Sequence, residues 1–168
     1  FEKLSPRPHR TKVIALAKRK TYSLEGLDTN KPIVFLENPK DLENIGAVIR
    51  VSAAADAAAV CISGSVNIWH PSIIRGAAGL HFAVPVFNGE IETLKVLQRP
   101  LTSLDPTGEE VSLTTTETNA IFIFGTERHG ISKELLRKSD QIVRLPMKKG
   151  VSSLNLATSV AATLYSFR

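Results

Sequence analysis

The sequence predicts an α/β domain: a mostly parallel sheet flanked by helices on both faces. Two observations predict it. Short apolar, β-prone runs recur along the chain, and most of them are followed by a polar turn. Segments with helical periodicity separate most of these runs. This alternation is typical of parallel sheets, because a crossover helix must return the chain to the starting edge of the sheet.

The clearest predicted strand is Ile121–Phe124 (IFIF), a continuous β-prone run bounded by polar residues. The strands are predicted at residues 33–36, 58–62, 83–87, 101–104, 121–124 and 142–145. The helices are predicted at 9–20, from Asn44, at 72–78, 89–98 and 132–139, and from about Ser153 to the C-terminus. The predicted N-caps are Asn44, Asn88 and Ser132. Residues 105–108 are predicted to form a turn, followed by an exposed polar stretch at 109–119.

The composition fits one globular domain of 168 residues with 43% apolar residues. No apolar run approaches the ~20 residues of a membrane helix. The N-terminus, FEKLSPRPHR, lacks an apolar signal core, so we expect a cytoplasmic protein with no membrane partner. Phe1 is not an initiator methionine, which predicts a fragment of a longer chain. The single cysteine, Cys61, is predicted to be a buried, inert thiol.

Basic residues are concentrated at the N-terminus. The net charge is +5, and seven of the 21 Lys and Arg residues lie in the first 20 positions, opposed there only by Glu2. We therefore predict a basic arm at residues 1–30 and a main domain at 31–168. Such an arm is typical of polyanion binding and equally of a solubilising tail.

Three polar segments each follow a predicted strand: residues 44–50 (NIGAVIR), 125–130 (GTERHG) and 145–155 (LPMKKGVSSLN). In a parallel sheet the C-terminal strand ends share one edge, where α/β proteins bind ligands, so these segments can converge there. Taken singly, each segment also has an ordinary explanation as a helix cap, a turn or a solvated charge.

Several common chemistries have no support in the sequence. It contains no G-x-G-x-x-G or Walker loop and no G-x-S-x-G elbow. The four histidines, His9, His70, His81 and His129, lack zinc-site spacing, and we predict no metal site. A dinucleotide enzyme and a hydrolase are therefore disfavoured.

Together and in this order, the three segments resemble the motifs of the SpoU family of RNA ribose 2′-O-methyltransferases, in the SPOUT superfamily. ENPKDLENIGAVIR resembles the first motif, FGTERHGIS the second, and RLPMKKGVSSLNLATSVAATLY the third and most specific. HPSIIRGAAGLHFAVPV resembles the middle segment of rRNA-type members. The resemblance covers residues 33–168. It implies a C-terminal deep trefoil knot, S-adenosyl-L-methionine as cofactor with S-adenosyl-L-homocysteine as product, and a homodimer packed through the knotted region.

The resemblance also implies site residues, position by position. The catalytic set is Asn44, Arg50, Glu127, Ser153 and Asn155. The cofactor contacts, largely through the backbone, are Gly125, Thr126, Glu127, Gly130, Leu145, Met147, Ser153 and Leu154. The expected RNA contacts are the basic residues Arg7, Arg10, Lys12, Lys18, Arg19, Lys20, Lys148 and Lys149. For the last two, solvated loop lysines are the alternative.

The implied reaction is attack of a ribose 2′-hydroxyl on the sulfonium methyl, in rRNA or tRNA, with rRNA favoured. The attack needs in-line positioning and relief of the hydroxyl proton. Family proposals make Arg50 the base. The pKa of an arginine side chain exceeds about 12, so we expect Arg50 instead to orient the hydroxyl and a phosphate.

Two other functions remain open: a non-catalytic RNA-binding module that kept the fold, and a tRNA base methyltransferase. The Ser-Leu-Asn motif favours ribose chemistry over base chemistry. The chain departs from the family pattern at Ala78, where related sequences often carry serine, and at Asp56-Ala57, where a glycine is common.

Overall fold

The centre of the fold is a six-stranded parallel sheet. The computed structural model describes residues 18–110, 116–126, 128–151 and 153–166. The strands are β1 (Ile33–Leu36), β2 (Ala59–Ile62), β3 (Val86–Asn88), β4 (Leu101–Glu110), β5 (Ile121–Phe124) and β6 (Gln141–Arg144). Their order is β3-β2-β1-β5-β4-β6, and every neighbouring pair is parallel. The predicted parallel α/β architecture is confirmed.

Helices cover both faces of the sheet. They are α1 (Leu42–Ala54), α2 (Pro71–Gly76), α3 (Ile91–Leu94), α4 (Lys133–Lys138) and α5 (Leu156–Tyr165), with 3-10 turns at Leu24–Gly26, Leu80–Phe82 and Lys95–Leu97. In β1, Val34 and Leu36 belong to the core formed with α1, α2 and α5, whereas Ile33 and Phe35 belong to the core formed with α3 and α4. Burial on both faces explains why β1, β2 and β5 are continuous apolar runs.

Two predicted N-caps are wrong and one is confirmed. Asp41 caps α1, because its Oδ1 accepts from the backbone N–H of Glu43 at 2.8 Å and of Asn44 at 2.9 Å. Asn44 therefore lies in the first turn of α1. Asn88 ends β3, and its Nδ2 donates to the carbonyl of Val66 at 3.1 Å instead of capping α3. The Ser132 hydroxyl does accept from the N–H of Leu135, at 3.2 Å, at the start of α4.

Several element boundaries also differ from the prediction. The third strand begins at Val86, after a 3-10 turn and Pro85, whose nitrogen cannot donate a hydrogen bond. The predicted helix at 89–98 is a four-residue α3 followed by a 3-10 turn. The last helix begins at Leu156. Most of the predicted helix at 9–20 lies outside the described residues, and residues 18–20 are not helical.

The predicted turn at 105–108 exists, but inside β4. Leu104 and Glu109 both pair with Val143, so the four residues between them bulge out of the ladder. The N–H and hydroxyl of Thr107 donate to Asp105 Oδ1 at 2.9 and 2.6 Å and stabilise the bulge. The strand then continues to residue 110. The expectation of an exposed stretch at 109–119 is confirmed at Glu109 and Glu110, which are exposed although they pair with β6, and it is wrong at the buried Thr116.

The two departures from the family pattern coincide with left-handed backbone. Asp56 has φ +53° just after α1, and Ala78 has φ +50° just after α2. Aspartate tolerates this conformation better than most residues, and Asp56 also accepts a 3.0 Å hydrogen bond from Lys31 Nζ. Both chain reversals therefore form without the glycine that this conformation usually favours.

Cys61 is buried in β2, as predicted, and its Sγ lies 3.4 Å from the carbonyl of Gly89. Burial, helped by the nearby charge of Glu90, raises the pKa of the thiol to about 12. The thiol therefore stays protonated and unreactive at neutral pH. Across the described part of the chain, no helix combines the length and apolar character needed to cross a membrane.

His81 is the buried titratable ring of an aromatic cluster with Trp69 and Phe82. It is 2% exposed, and neither ring nitrogen has a hydrogen-bond partner among the described residues. Burial lowers the pKa of His81, because a charged imidazolium is poorly solvated there.

We expect His81 to make the protein acid-sensitive. An unfolded histidine has a pKa of about 6.5, so the unfolded state binds a proton below that pH more readily than the folded state. The stability that His81 contributes is present above pH ~6.5 and is lost as the pH falls towards its lower folded-state pKa. Urea unfolding should show that the free energy of unfolding falls less steeply between pH 7 and 5 in His81→Leu than in the wild type. If the free energy of unfolding fell equally with pH in the two proteins, this expectation would be contradicted.

Candidate active site

A cavity of about 410 Å³ lies at the C-terminal ends of β5 and β6 and beside the bulge of β4. It is lined by residues 104–106 of β4, by the segments that follow β5 and β6, and by the start of α5. The lining residues are Leu104, Asp105, Pro106, Phe124, Gly125, Thr126, Arg128, His129, Gly130, Arg144, Leu145, Met147, Ser153, Leu154, Leu156 and Ser159. Two of the three sequence motifs, at 125–130 and 145–155, therefore form one pocket.

The loop after β5 folds back tightly on the strand end. The N–H of Thr126 donates to the carbonyl of Gly130 at 3.0 Å, and the N–H of Gly130 donates to the carbonyl of Thr126 at 3.0 Å. A Cβ on Gly125 would lie 2.0 Å from the carbonyl carbon of Gly130, so only glycine fits there. Gly130 itself has φ +65°, a left-handed conformation. The loop thus presents backbone to the cavity.

Asn155 connects the third motif to the first. Its Oδ1 accepts from the N–H of Ala157 at 2.9 Å and of Thr158 at 3.3 Å, which caps α5. Its Nδ2 donates to Asn44 Oδ1 at 2.9 Å, across 111 residues of sequence. One side chain therefore starts α5 and fixes it against the first turn of α1, beside the cavity.

The cofactor residues implied by the resemblance lie together. Those that line the cavity are Gly125, Thr126, Gly130, Leu145, Met147, Ser153 and Leu154. The remaining one, Glu127, lies outside the described residues. Ser153 and Leu154 are exposed, Leu154 at 41%, so this wall of the pocket faces outward.

Arg50 is placed differently from Asn44. It is exposed on α1 and does not line the cavity, and its side chain makes no hydrogen bond or ion pair with the other described residues. It lies six positions after Asn44, which is about 9 Å along the helix axis. Both belong to α1, but of these two side chains only that of Asn44 is hydrogen-bonded to the third motif among the described residues.

The basic residues expected to bind RNA are exposed wherever the structure describes them. These are Lys18, Arg19, Lys20, Lys148 and Lys149. Arg7, Arg10 and Lys12 lie outside the described residues. The guanidinium carbon of Arg19 lies 4.8 Å from the ring centroid of Trp69, so this basic residue packs against the segment before α2.

Several polar residues of the cavity were not predicted as site residues: Asp105, Arg128, His129, Arg144 and Ser159, of which Arg128 and His129 lie in the predicted segment 125–130. Asp105 was interpreted only as a turn residue. Its Oδ2 lies 4.0 Å from the position of a Cβ on Gly130, so the carboxylate faces the loop after β5. The sequence did carry a signal for Asp105, because a polar turn follows the predicted strand at 101–104, just as polar segments follow the other predicted strands of the site.

Residues 31–165 match the model of the SpoU rRNA Methylase family. The match includes all six strands, the cavity and the Asn44–Asn155 hydrogen bond. The chain belongs to this family. The motif resemblance seen in the sequence is thereby confirmed.

Relatives of this SpoU chain are named as RNA methyltransferases. An uncharacterised tRNA/rRNA methyltransferase of Archaeoglobus fulgidus is 30% identical over 140 residues, covering 80% of this chain and 62% of that protein. The 23S rRNA (guanosine-2′-O-)-methyltransferase RlmB of Pseudomonas putida is 30% identical over 149 residues, covering 84% of this chain and 60% of RlmB. The chain thus spans about three-fifths of the length of these two relatives.

A solved structure shares the SpoU fold. The SpoU methyltransferase AviRb from Streptomyces viridochromogenes, in complex with the cofactor AdoMet, superposes with a TM-score of 0.78 at 22% identity. The alignment covers 86% of this chain and 63% of AviRb. At this identity the likeness shows the fold, including the parallel sheet flanked by helices.

Proposed function

We propose that this SpoU chain transfers a methyl group from S-adenosylmethionine to a ribose 2′-hydroxyl of structured RNA, with rRNA favoured over tRNA. The observation that carries the proposal is the 2.9 Å hydrogen bond from Asn155 to Asn44. It ties the first motif to a cavity formed by the other two. The 2′-O-methyltransferase name of RlmB supports the ribose as acceptor.

The residues of the cavity fit the cofactor. A volume of about 410 Å³ lies within the range of roughly 300–1,000 Å³ usual for small-ligand sites. Backbone from the loop 125–130 can recognise the adenine edge, and Leu145, Met147 and Leu154 offer apolar surface. AviRb is named as an AdoMet complex, which supports the same cofactor here. When bound, S-adenosylmethionine supplies an electrophilic methyl group on a sulfonium.

The chain's own residues would position the RNA. Asn155 and Asn44 fix α5 and α1 in register, so that groups on α1 are held beside the cavity. Arg50 has an exposed guanidinium that can bind the hydroxyl and an adjacent phosphate through its planar fork. Ser153 would bind the nucleoside, and Glu127 would hold Arg50 or the substrate. In-line orientation is the main contribution that such groups can make.

The knot and the homodimer belong to this proposal. β6 lies at the sheet edge beside β4, yet the next helix, α5, packs on α1 near β1. The chain must therefore return across the ends of β4 and β5, as a C-terminal knot requires. Exposed apolar side chains lie on the returning segment and on α5, at Val151 (47%), Leu154 (41%) and Tyr165 (50%). They favour a second copy as the partner.

Methyl transfer and cofactor binding together test the proposal. We expect wild-type protein to bind S-adenosylmethionine in calorimetry and to yield 2′-O-methylnucleosides from rRNA, measured by mass spectrometry. Arg50→Ala should lower turnover about 100-fold or more and leave cofactor affinity unchanged, because it removes only orientation of the acceptor. Asn155→Ser keeps a hydroxyl that can cap α5 but loses the amide that donates to Asn44. We expect its turnover to fall about tenfold.

Arg137→Ala removes an exposed arginine of α4 away from the cavity and is the matched control, expected to keep full activity. Wild-type turnover in Arg50→Ala would contradict the role of Arg50. RNA binding without cofactor affinity would indicate a non-catalytic module. A methyl group on a base would indicate base chemistry. Light scattering of the same samples at micromolar concentration tests the dimer, and a monomer would contradict it.

A further inference from the structure

An aromatic cluster lies outside the cavity, on the segment that contains α2 and the following 3-10 turn. The ring centroids of Trp69 and His81 are 4.7 Å apart, and those of His81 and Phe82 are 5.7 Å apart. His81 is buried, and Phe82 next to it is 63% exposed. A buried ring thus supports an outward-facing ring, which keeps Phe82 in a fixed position at the surface.

One cation contacts this cluster, and others lie on the same segments of the chain. Arg19 lies 4.8 Å over the ring of Trp69, which brings the basic segment Lys18–Lys20 to the aromatic surface. Arg75, in the last turn of α2, is exposed and donates to Ser72 Oγ at 3.2 Å. The sequence has no Asp or Glu from residue 57 to 89, nor from 18 to 24, although such residues make up 16 of the 168. The segments that form the cluster therefore contribute positive charge only.

The cluster lies on the same flank of α1 as Arg50. α1 and α2 cross at Gly46 and Gly76, where a Cβ on Gly46 would lie 2.8 Å from the Cα of Gly76. Arg50 follows Gly46 by four residues and so leaves α1 on the same side of the helix, one turn later. A ligand held at Arg50 can therefore extend along this flank towards α2 and Phe82.

We propose that the exposed ring of Phe82, backed by the half-buried Trp69, forms a stacking platform for an unpaired nucleotide of the RNA, with Lys18, Arg19, Lys20 and Arg75 binding the flanking phosphates. The proposal rests on RNA being the substrate. Proteins bind single-stranded RNA by stacking its bases on accessible aromatic rings near basic residues, since every base has a face that can stack. The platform selects an RNA with an unpaired nucleotide near the methylated ribose, such as a loop or a bulge.

The experiment uses the full chain and a fluorescent single-stranded RNA of about twelve nucleotides, a length that exceeds one small binding site. Trp69 is the only tryptophan in the sequence, so its emission reports directly on the cluster. Anisotropy gives the RNA affinity, calorimetry the cofactor affinity, and light scattering the oligomeric state. The variants are Phe82→Ala, Phe82→Tyr, which keeps the ring, and Val96→Ala. Val96 is a 72% exposed apolar residue on another turn and serves as the control.

We expect RNA to quench Trp69 and Phe82→Ala to raise the RNA Kd about tenfold. Phe82→Tyr and Val96→Ala should stay within about twofold of the wild type, and cofactor affinity should not change in any variant. Unchanged RNA affinity in Phe82→Ala, or equal affinity for a fully paired duplex, would overturn the platform. Dissociation of a dimer in Phe82→Ala would also overturn it, because a second copy would then cover the ring. Absent cofactor binding in the wild type would overturn the proposed function alone.

Discussion

Gly125→Ala is expected to lose measurable affinity for S-adenosylmethionine. The added Cβ would lie 2.0 Å from the carbonyl carbon of Gly130, 2.2 Å from its oxygen and 2.2 Å from the nitrogen of Ile131. All three atoms are backbone and cannot rotate away, so the loop must move by roughly 1 Å or more. A displacement of that size can lower the rate of a precisely built catalytic site about 100-fold. We expect a loss of similar size in cofactor affinity, because the same loop forms the cofactor pocket. Calorimetry should therefore show a Kd at least about 100 times that of the wild type.

The same substitution should disturb the rest of the fold much less. The loop is closed by two hydrogen bonds between Thr126 and Gly130, whereas the sheet core does not depend on it. Urea unfolding should show a free energy of unfolding about 1–3 kcal/mol below that of the wild type, the usual cost of overpacking. Gly89→Ala is the control, because its Cβ would lie 3.4 Å from Cys61 Sγ, an ordinary contact. It should keep full cofactor affinity. Wild-type affinity in folded Gly125→Ala would mean that the cofactor binds elsewhere.

The strands were predictable because burial on both faces leaves a simple pattern. Ile33–Leu36 and Ile121–Phe124 are uninterrupted β-prone runs, and the structure places them side by side. The same property hides the strand order. When each residue of a strand is buried, periodicity does not say which neighbour it has, so the insertion of β4 between β5 and β6 left no signal in the sequence.

That missing strand order explains what was missed at the cavity. Asp105 reaches the pocket only because β4 lies between the two strands whose loops form the other walls. The pairing of Asn155 with Asn44 was also not derivable from spacing, since it joins residues 111 positions apart. Motif resemblance brought these two residues into one site, and the physical patterns showed only that the strand ends share an edge.

Arg99 is the second residue whose loss should have a large effect, and local sequence gave no sign of it. It lies in a loop before β4, where an arginine is usually solvated, yet it is only 9% exposed. Its guanidinium donates to the carbonyls of Lys31 at 2.5 Å, Asp28 at 2.6 Å and Asn119 at 3.4 Å. Burial lowers the pKa of Arg99, partly offset by the charge of Asp28. One side chain thus joins the loops that lead into β1 and β5.

Arg99→Met should lower the free energy of unfolding by roughly 3–5 kcal/mol, because it keeps the apolar stem but leaves three carbonyls without their donor. Arg99→Lys has a single ammonium that cannot reach all three acceptors, and should lose roughly 1–3 kcal/mol. Arg137→Met, at an exposed arginine of α4, should change stability by less than about 0.5 kcal/mol. Urea unfolding at neutral pH measures all three. Equal midpoints for Arg99→Met and Arg137→Met would show that the loops hold together without Arg99, through contacts such as the 3.4 Å hydrogen bond from Asn119 to Thr29.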